Sequence, residues 1–325
     1  MRPGLVALVM AVALAACSPA APGVPDCATL DEAVALAGRV DRERWLQRVR
    51  ALSGAEPVTV GGQTTTLRTR DSWAMAAGDP GAEAFEWLHE QVAALVPAEA
   101  IAVERFRQNW RNLTVTFPGR SRPNQVVVVT AHLDSLVMDG DRLDSAPGAD
   151  DDASGVATLL ELAEVLVDAS PARTLLLAWT TGEEQGLVGC EAWADAHDLS
   201  GVVAVLDLDM LGWDGTGART LQAHLEDTDD GRRLGSCVAR AAAAASPDLH
   251  VDLRVGAAAM GNSCHSAFWH RGVPAALLSE DVTTPGAENP HAHTPRDTVD
   301  TLALPYAVDM ARAAVATALA LVEAR

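Results

Sequence analysis

The chain has 325 residues, 49% of them apolar, enough for one large domain with a substantial core. Its formal charge is −20, all 24 basic residues are Arg, and no basic cluster interrupts the acidic balance. Nucleic acid is therefore excluded as a partner class.

The first predicted element is a targeting segment. Arg2 precedes an apolar stretch, Leu5 to Ala16, too short for an ordinary transmembrane helix and suited to the core of a secretory signal. Leu14-Ala15-Ala16-Cys17 resembles a bacterial lipobox. Residues 1–16 are accordingly read as a signal peptide and 17–27 as a lipidated Cys17 with a Pro/Ala tether. The folded domain then runs from 28 to 325. The expected location is outside the cytoplasm, on the bacterial cell envelope, with the lipid as the only membrane contact. Ser18 after Cys17 favours the outer membrane where there are two membranes. Export permits disulfides, and the remaining Cys27, Cys190, Cys237 and Cys264 allow three full pairings among which spacing does not choose.

Residues 30–53 are predicted as a helix, with Leu30, Val34, Trp45, Leu46, Val49 and Leu52 apolar among charges. Residues 83–96 form a second, with Phe85, Leu88, Val92 and Leu95 on one face. Four short apolar runs, 126–130, 174–180, 202–208 and 274–279, read as strands covered on both faces. Val156, Leu159, Leu160, Ala163, Leu166 and Val167 give Gly155 to Val167 a helical face, and 305–323 is a last, Ala-rich helix. The alternation predicts a single doubly wound α/β domain. Its central sheet is mostly parallel or mixed, with helices on both faces.

Each of the four predicted strands runs into a polar cluster: AHLDS, TGEEQG, DMLGWDG and EDVTTPGAENPHAHTPRDT. In open α/β sheets ligands bind at the carboxyl ends of strands, so these clusters should meet on one rim. A fifth, GADDDASG at 148–155, starts the helix. Singly, each has an ordinary reading: helix caps for the aspartates, dipole-complementing charges for Glu183 and Glu184, a turn at Asp209. Together, His132, Asp134, Asp151, Glu183, Glu184, Asp209, His291 and His293 put imidazoles and many carboxylates on one rim, with only Arg296 among them. That donor set suits Zn²⁺ or a similar divalent cation.

The ordered motifs AHLDS, GADDDASG, TGEEQGL, LDMLG and HTPRDT, preceded by WRNLTVTFPG, resemble the bacterial zinc aminopeptidase family. That family includes glutaminyl cyclases, glutamate carboxypeptidases and the metal-free transferrin receptor, and the resemblance covers about residues 41 to 323. It implies two Zn²⁺ per chain. His132 and Asp209 would hold one, Glu184 and His293 the other, and Asp151 would bridge them, with Asp150 as the alternative. Glu183 would be the general base and Asp134 would orient His132 through its ring N–H. The peptide Asp151–Asp152 would be cis. The chain departs from the pattern at Ser263-Cys264-His265, where relatives often have Ser-Asp-His, which affects the expected pocket near Cys264.

The expected function is removal of N-terminal residues from peptides with a free N-terminus. The alternatives are another di-zinc amidohydrolase, a glutaminyl cyclase or carboxypeptidase-type enzyme on the same fold, or a non-catalytic surface lipoprotein.

Overall fold

The structure, a computed structural model, describes residues 23–323 apart from Ala28 and Ala77. The expected signal peptide and Cys17 lie outside the described residues. The last residues of the expected tether lie within them, and they are docked. Val24 and Cys27 are buried, and Cys27 forms a disulfide with Cys237, Cα to Cα 5.5 Å.

In chain order the elements are α1 (Asp31–Ala37), α2 (Arg42–Leu52), β1 (Val58–Val60), β2 (Gln63–Thr65) and α3 (Pro80–Ala93). Then come β3 (Ile101–Arg107), β4 (Trp110–Phe117), β5 (Arg122–His132), α4 (Ala153–Leu166), β6 (Arg173–Thr180) and α5 (Val188–Ala196). The chain ends with β7 (Val202–Leu208), β8 (Thr220–Leu225), α6 (Asp229–Ala245), β9 (His250–Val255), α7 (His265–Trp269), β10 (Ala275–Ser279) and α8 (Leu304–Val322). One expectation is corrected. Residues 30–53 are two helices, because Gly38 ends the first and Asp41 caps the second, its Oδ1 accepting the Arg44 N–H at 2.8 Å.

Eight strands form the main sheet in the order β3-β4-β6-β5-β7-β10-β8-β9. The central four, β6, β5, β7 and β10, are mutually parallel; β4 and β8 join them antiparallel, β3 pairs antiparallel with β4, and β9 pairs parallel with β8. Alternation decides which helix each residue meets. Val127 and Val129 pack in the layer of α4 and α8, whereas Val128 packs with Trp193 of α5 and Phe268 of α7. Both faces are covered, which is why these strands read as unbroken apolar runs. Helix α8 runs through the middle of one layer. Its many Ala residues let α1, α4 and α6 approach it closely.

Helix α4 is anchored at its far end. The buried Glu161 accepts from Arg44 Nε at 2.7 Å, Arg48 Nη1 at 2.5 Å and the Asp41 N–H at 2.9 Å, tying α2 to α4. The other end of α4 carries the aspartate triplet.

Candidate metal centre

The carboxyl ends of the four parallel strands place the polar clusters side by side. His132 ends β5, Asp209 follows β7, and Glu183 and Glu184 follow β6 after a turn at Gly182. Gly182 has φ +74°, and a Cβ there would meet the Trp110 ring at 2.8 Å, so the turn requires glycine. His293 comes from the long segment after β10. Leu187, Met210 and His293 have positive φ (62°, 59° and 55°) and all line one open cavity of about 460 Å³. Strained backbone of this kind collects at functional sites.

The three adjacent aspartates have three different tasks. Asp152 Oδ1 caps α4 by accepting the Gly155 N–H at 2.9 Å. Asp150 accepts the Gly212 N–H and Asn289 Nδ2, both at 2.7 Å, and so faces away from the imidazoles. Asp151 alone reaches them: its Oδ1 lies 3.1 Å from His132 Nε2 and its Oδ2 3.0 Å from His293 Nε2. The Asp151–Asp152 peptide is cis. Asp209 Oδ1 is 3.5 Å from His132 Nε2, and Glu184 Oε2 is 3.0 Å from His293 Nε2. Two clusters of three ligand-type groups therefore share Asp151: His132, Asp151 and Asp209, and Asp151, Glu184 and His293.

The donor chemistry fits a cation. His132 Nδ1 lies 3.0 Å from the Asp134 carbonyl oxygen, which only accepts, so Nδ1 carries the proton and Nε2 faces two carboxylates. Burial alone would lower the His132 pKa, but the Glu183 charge and contacts with Asp134, Asp151 and Asp209 push it well above its usual range. His293 is pushed up to about 11 by Asp151 and Glu184. Burial raises the Asp151 carboxyl, but the two imidazoles outweigh it and hold the group below the ordinary carboxylate range. Burial, with Asp151 nearby, pushes Glu184 up to about 7, and its Oε1 is buried without a hydrogen-bond partner. A proton or a metal ion would serve each imidazole–carboxylate contact. The orphaned Glu184 oxygen calls for a further positive group.

Glu183 lines the cavity without contacting either imidazole closely, and burial pushes its carboxyl well above the usual range. The role expected of Asp134 needs correction. Its carboxylate is 3.8 Å from His132 Nδ1, too far for a hydrogen bond, and the carbonyl oxygen holds the ring instead. The Asp134 carboxylate accepts the backbone N–H groups of Glu183 and Glu184, each at 3.3 Å, and so sets the position of that pair. His291, also in the expected cluster, makes no ligand-type contact. Its ring meets Trp213 edge-on at 5.4 Å.

Sequence reasoning missed several partners. Ser263 Oγ lies 2.7 Å from Asp209 Oδ2 and 2.9 Å from Asp207 Oδ2, which also accepts the His265 N–H at 2.8 Å. Cys264 is buried in a disulfide with Cys190, Cα to Cα 5.4 Å, so Asn262 rather than Cys264 lines the cavity. Below the rim lies Arg70, 1% exposed. It donates to the carbonyl oxygens of Leu133 (2.7 Å), Leu52 (2.8 Å), Pro147 (2.6 Å) and Gly148 (2.9 Å). Burial lowers its pKa, while Asp152, Asp297, Asp151 and Asp134 oppose that shift.

A model of peptidase family M28 matches residues 112–318. "Probable leucine aminopeptidase 1" of Trichophyton verrucosum is 31% identical over 252 residues, covering 72% of this chain. The chain spans 66% of that relative's length. Among solved structures, the LapA aminopeptidase of Legionella pneumophila shares the fold, with a TM-score of 0.69 at 21% identity over 90% of this chain and 75% of that one. BSAP, a zinc aminopeptidase from Bacillus subtilis, is 26% identical with a TM-score of 0.52, over 63% of this chain and 49% of that one. The matched segment is more than half of the chain and holds the whole rim from His132 to His293, and on that footing the protein belongs to peptidase family M28.

Proposed function

We propose that the protein is a zinc-dependent aminopeptidase. One observation carries the reading: the two oxygens of Asp151 face two different imidazoles, each imidazole with its own second carboxylate. His132 and Asp209 would hold one zinc, Glu184 and His293 the other, and Asp151 both. When bound, the metal supplies Lewis acidity for the scissile carbonyl and for water. The chain's residues do the rest. Glu183 takes the proton of the attacking water and returns it to the leaving amine, a task suited to a buried carboxyl with a raised pKa. Asp134 holds the backbone of Glu183 and Glu184, and Ser263 fixes the rotation of Asp209. Carboxylates around the cavity favour a substrate bearing a free α-ammonium group.

Purified protein is expected to bind about two zinc ions per chain. Peptides with a free N-terminus should lose one residue at a time, acetylated ones should resist, and chelation should abolish activity until zinc is restored. Equal rates on free and acetylated peptides would overturn the exopeptidase reading. For the targeting segment, we propose lipidation of Cys17. Cys17→Ser is then expected to move the protein from membrane to soluble fractions, and unchanged membrane retention would refute it.

A further inference from the structure

A second surface adjoins the candidate centre. Among the described residues, six large apolar side chains are well exposed, and three of them lie in two neighbouring loops: Trp73 (49%), Met138 (74%) and Leu143 (49%). Exposed apolar groups are unremarkable singly and informative when grouped. These loops are joined to each other, since Thr69 bridges Ala146, Arg70 N–H donates to Ser135 Oγ at 3.1 Å, and Asp71 pairs with Arg142 at 3.5 Å.

Both loops also touch the rim. Ser72 Oγ accepts the Gly182 N–H at 2.8 Å, one residue before Glu183. The Met138 N–H donates to the carbonyl oxygen of His293 at 2.9 Å. Trp73 meets Trp110 edge-on at 5.0 Å, and Trp110 is the ring packed against Gly182. The guanidinium of Arg107 sits 5.6 Å from the Trp73 ring centre and 5.1 Å from that of Trp110. Arg107 is exposed and, among the described residues, has no carboxylate within 4 Å, in a chain of net charge −20. Gly186, Leu187, Met210 and Asn262 also line the cavity. The apolar loops are thus attached to the turn before Glu183 and to His293.

We infer that Trp73, Met138 and Arg107 form the platform for the part of a short peptide beyond the scissile bond. An apolar side chain of that part packs on Trp73 and Met138, and its terminal carboxylate meets Arg107. The inference rests on the aminopeptidase reading and adds a downstream preference to it. Two extended residues span roughly 7 Å, so the second residue beyond the scissile bond is the first that can leave the cavity mouth. Aromatic packing and cation–π holding of Arg107 give the platform both its apolar and its charged element.

The test compares leucinamide, which has no downstream residue, with leucyl-glycyl-phenylalanine and its C-terminal amide, on zinc-loaded full-length protein. In Trp73→Ala, the ratio of kcat/KM for the tripeptide to that for leucinamide is expected to fall about 10-fold, mainly through KM. In Arg107→Gln, the ratio of free-acid to amidated tripeptide should fall while the aromatic preference persists. Met138→Ser, at a highly exposed site, gives a milder fall in the first ratio and keeps the test open if Trp73→Ala folds poorly. Unchanged ratios in all three variants would overturn the platform while leaving the aminopeptidase reading intact. Wild-type protein inert toward all three substrates would overturn both.

Discussion

Glu183→Gln is expected to lower kcat by about 10²–10⁴-fold, the usual worth of a positioned acid–base group, while metal content and KM stay near wild type. The substitution conserves size in a buried position and leaves the backbone N–H of residue 183 on Asp134. It removes only the capacity to take and return a proton. Glu184→Gln should behave differently despite its neighbour's identical charge. Glu184 Oε2 lies 3.0 Å from His293 Nε2, and its Oε1 is buried without a partner. Its neutralisation should drop bound metal from about two equivalents toward about one, because ligand charge contributes directly to affinity. Metal content and kcat on the two single variants separate the roles. If Glu183→Gln loses metal and Glu184→Gln keeps it, the assignments are reversed. If both variants retain full activity, the reaction does not occur on this rim.

The features legible in the sequence were those with a local signature. VVVVT and VVAVLDL announce strands buried on both faces, and polar residues immediately after them announce the rim. The triplet Asp150–Asp152 allows a helix cap or a cation ligand: Asp152 is the cap of α4, and Asp151 faces two imidazoles. What stayed hidden depends on contacts distant in sequence. β3, an edge strand, has only the short run Ile101–Val103 before Glu104, Arg105 and Arg107, and none of its residues is fully buried, so apolar density passes over it. Asp207 sits inside an apparently apolar strand, yet its side chain is claimed by Ser263 and His265 more than fifty residues later. The disulfide partners of Cys27 and Cys190 had no spacing rule to reveal them. Arg70 looks like any arginine in LRTRDSW and lies more than sixty residues before the acidic motifs it serves.

Arg70→Met should destabilise the metal-free protein by about 3–5 kcal/mol, a large part of the 5–15 kcal/mol typical of a folded domain. Two effects compete. Burying a guanidinium is costly, and replacing an ion and its partners together by apolar groups is often neutral. Here the partners remain. The carbonyl oxygens of Leu52, Leu133, Pro147 and Gly148 would lose their donor, at about 1–3 kcal/mol for each one that water cannot reach. Asp134, Asp151, Asp152 and Asp297 would lose the buried cation that faces them all. Desolvation relief offsets part of this, which is why the expected total lies below the sum of four orphaned acceptors. Arg70→Lys keeps the charge but cannot serve four carbonyls with one compact ammonium group, so it should recover only part of the loss. Zinc on the rim would supply positive charge to the same carboxylates and binds only the folded chain. The penalty of Arg70→Met should therefore be smaller in zinc-loaded than in metal-free protein. Urea midpoints of wild type and both variants, with and without zinc, measure all of this. A metal-free Arg70→Met protein as stable as wild type would show that the acidic rim needs no internal countercharge.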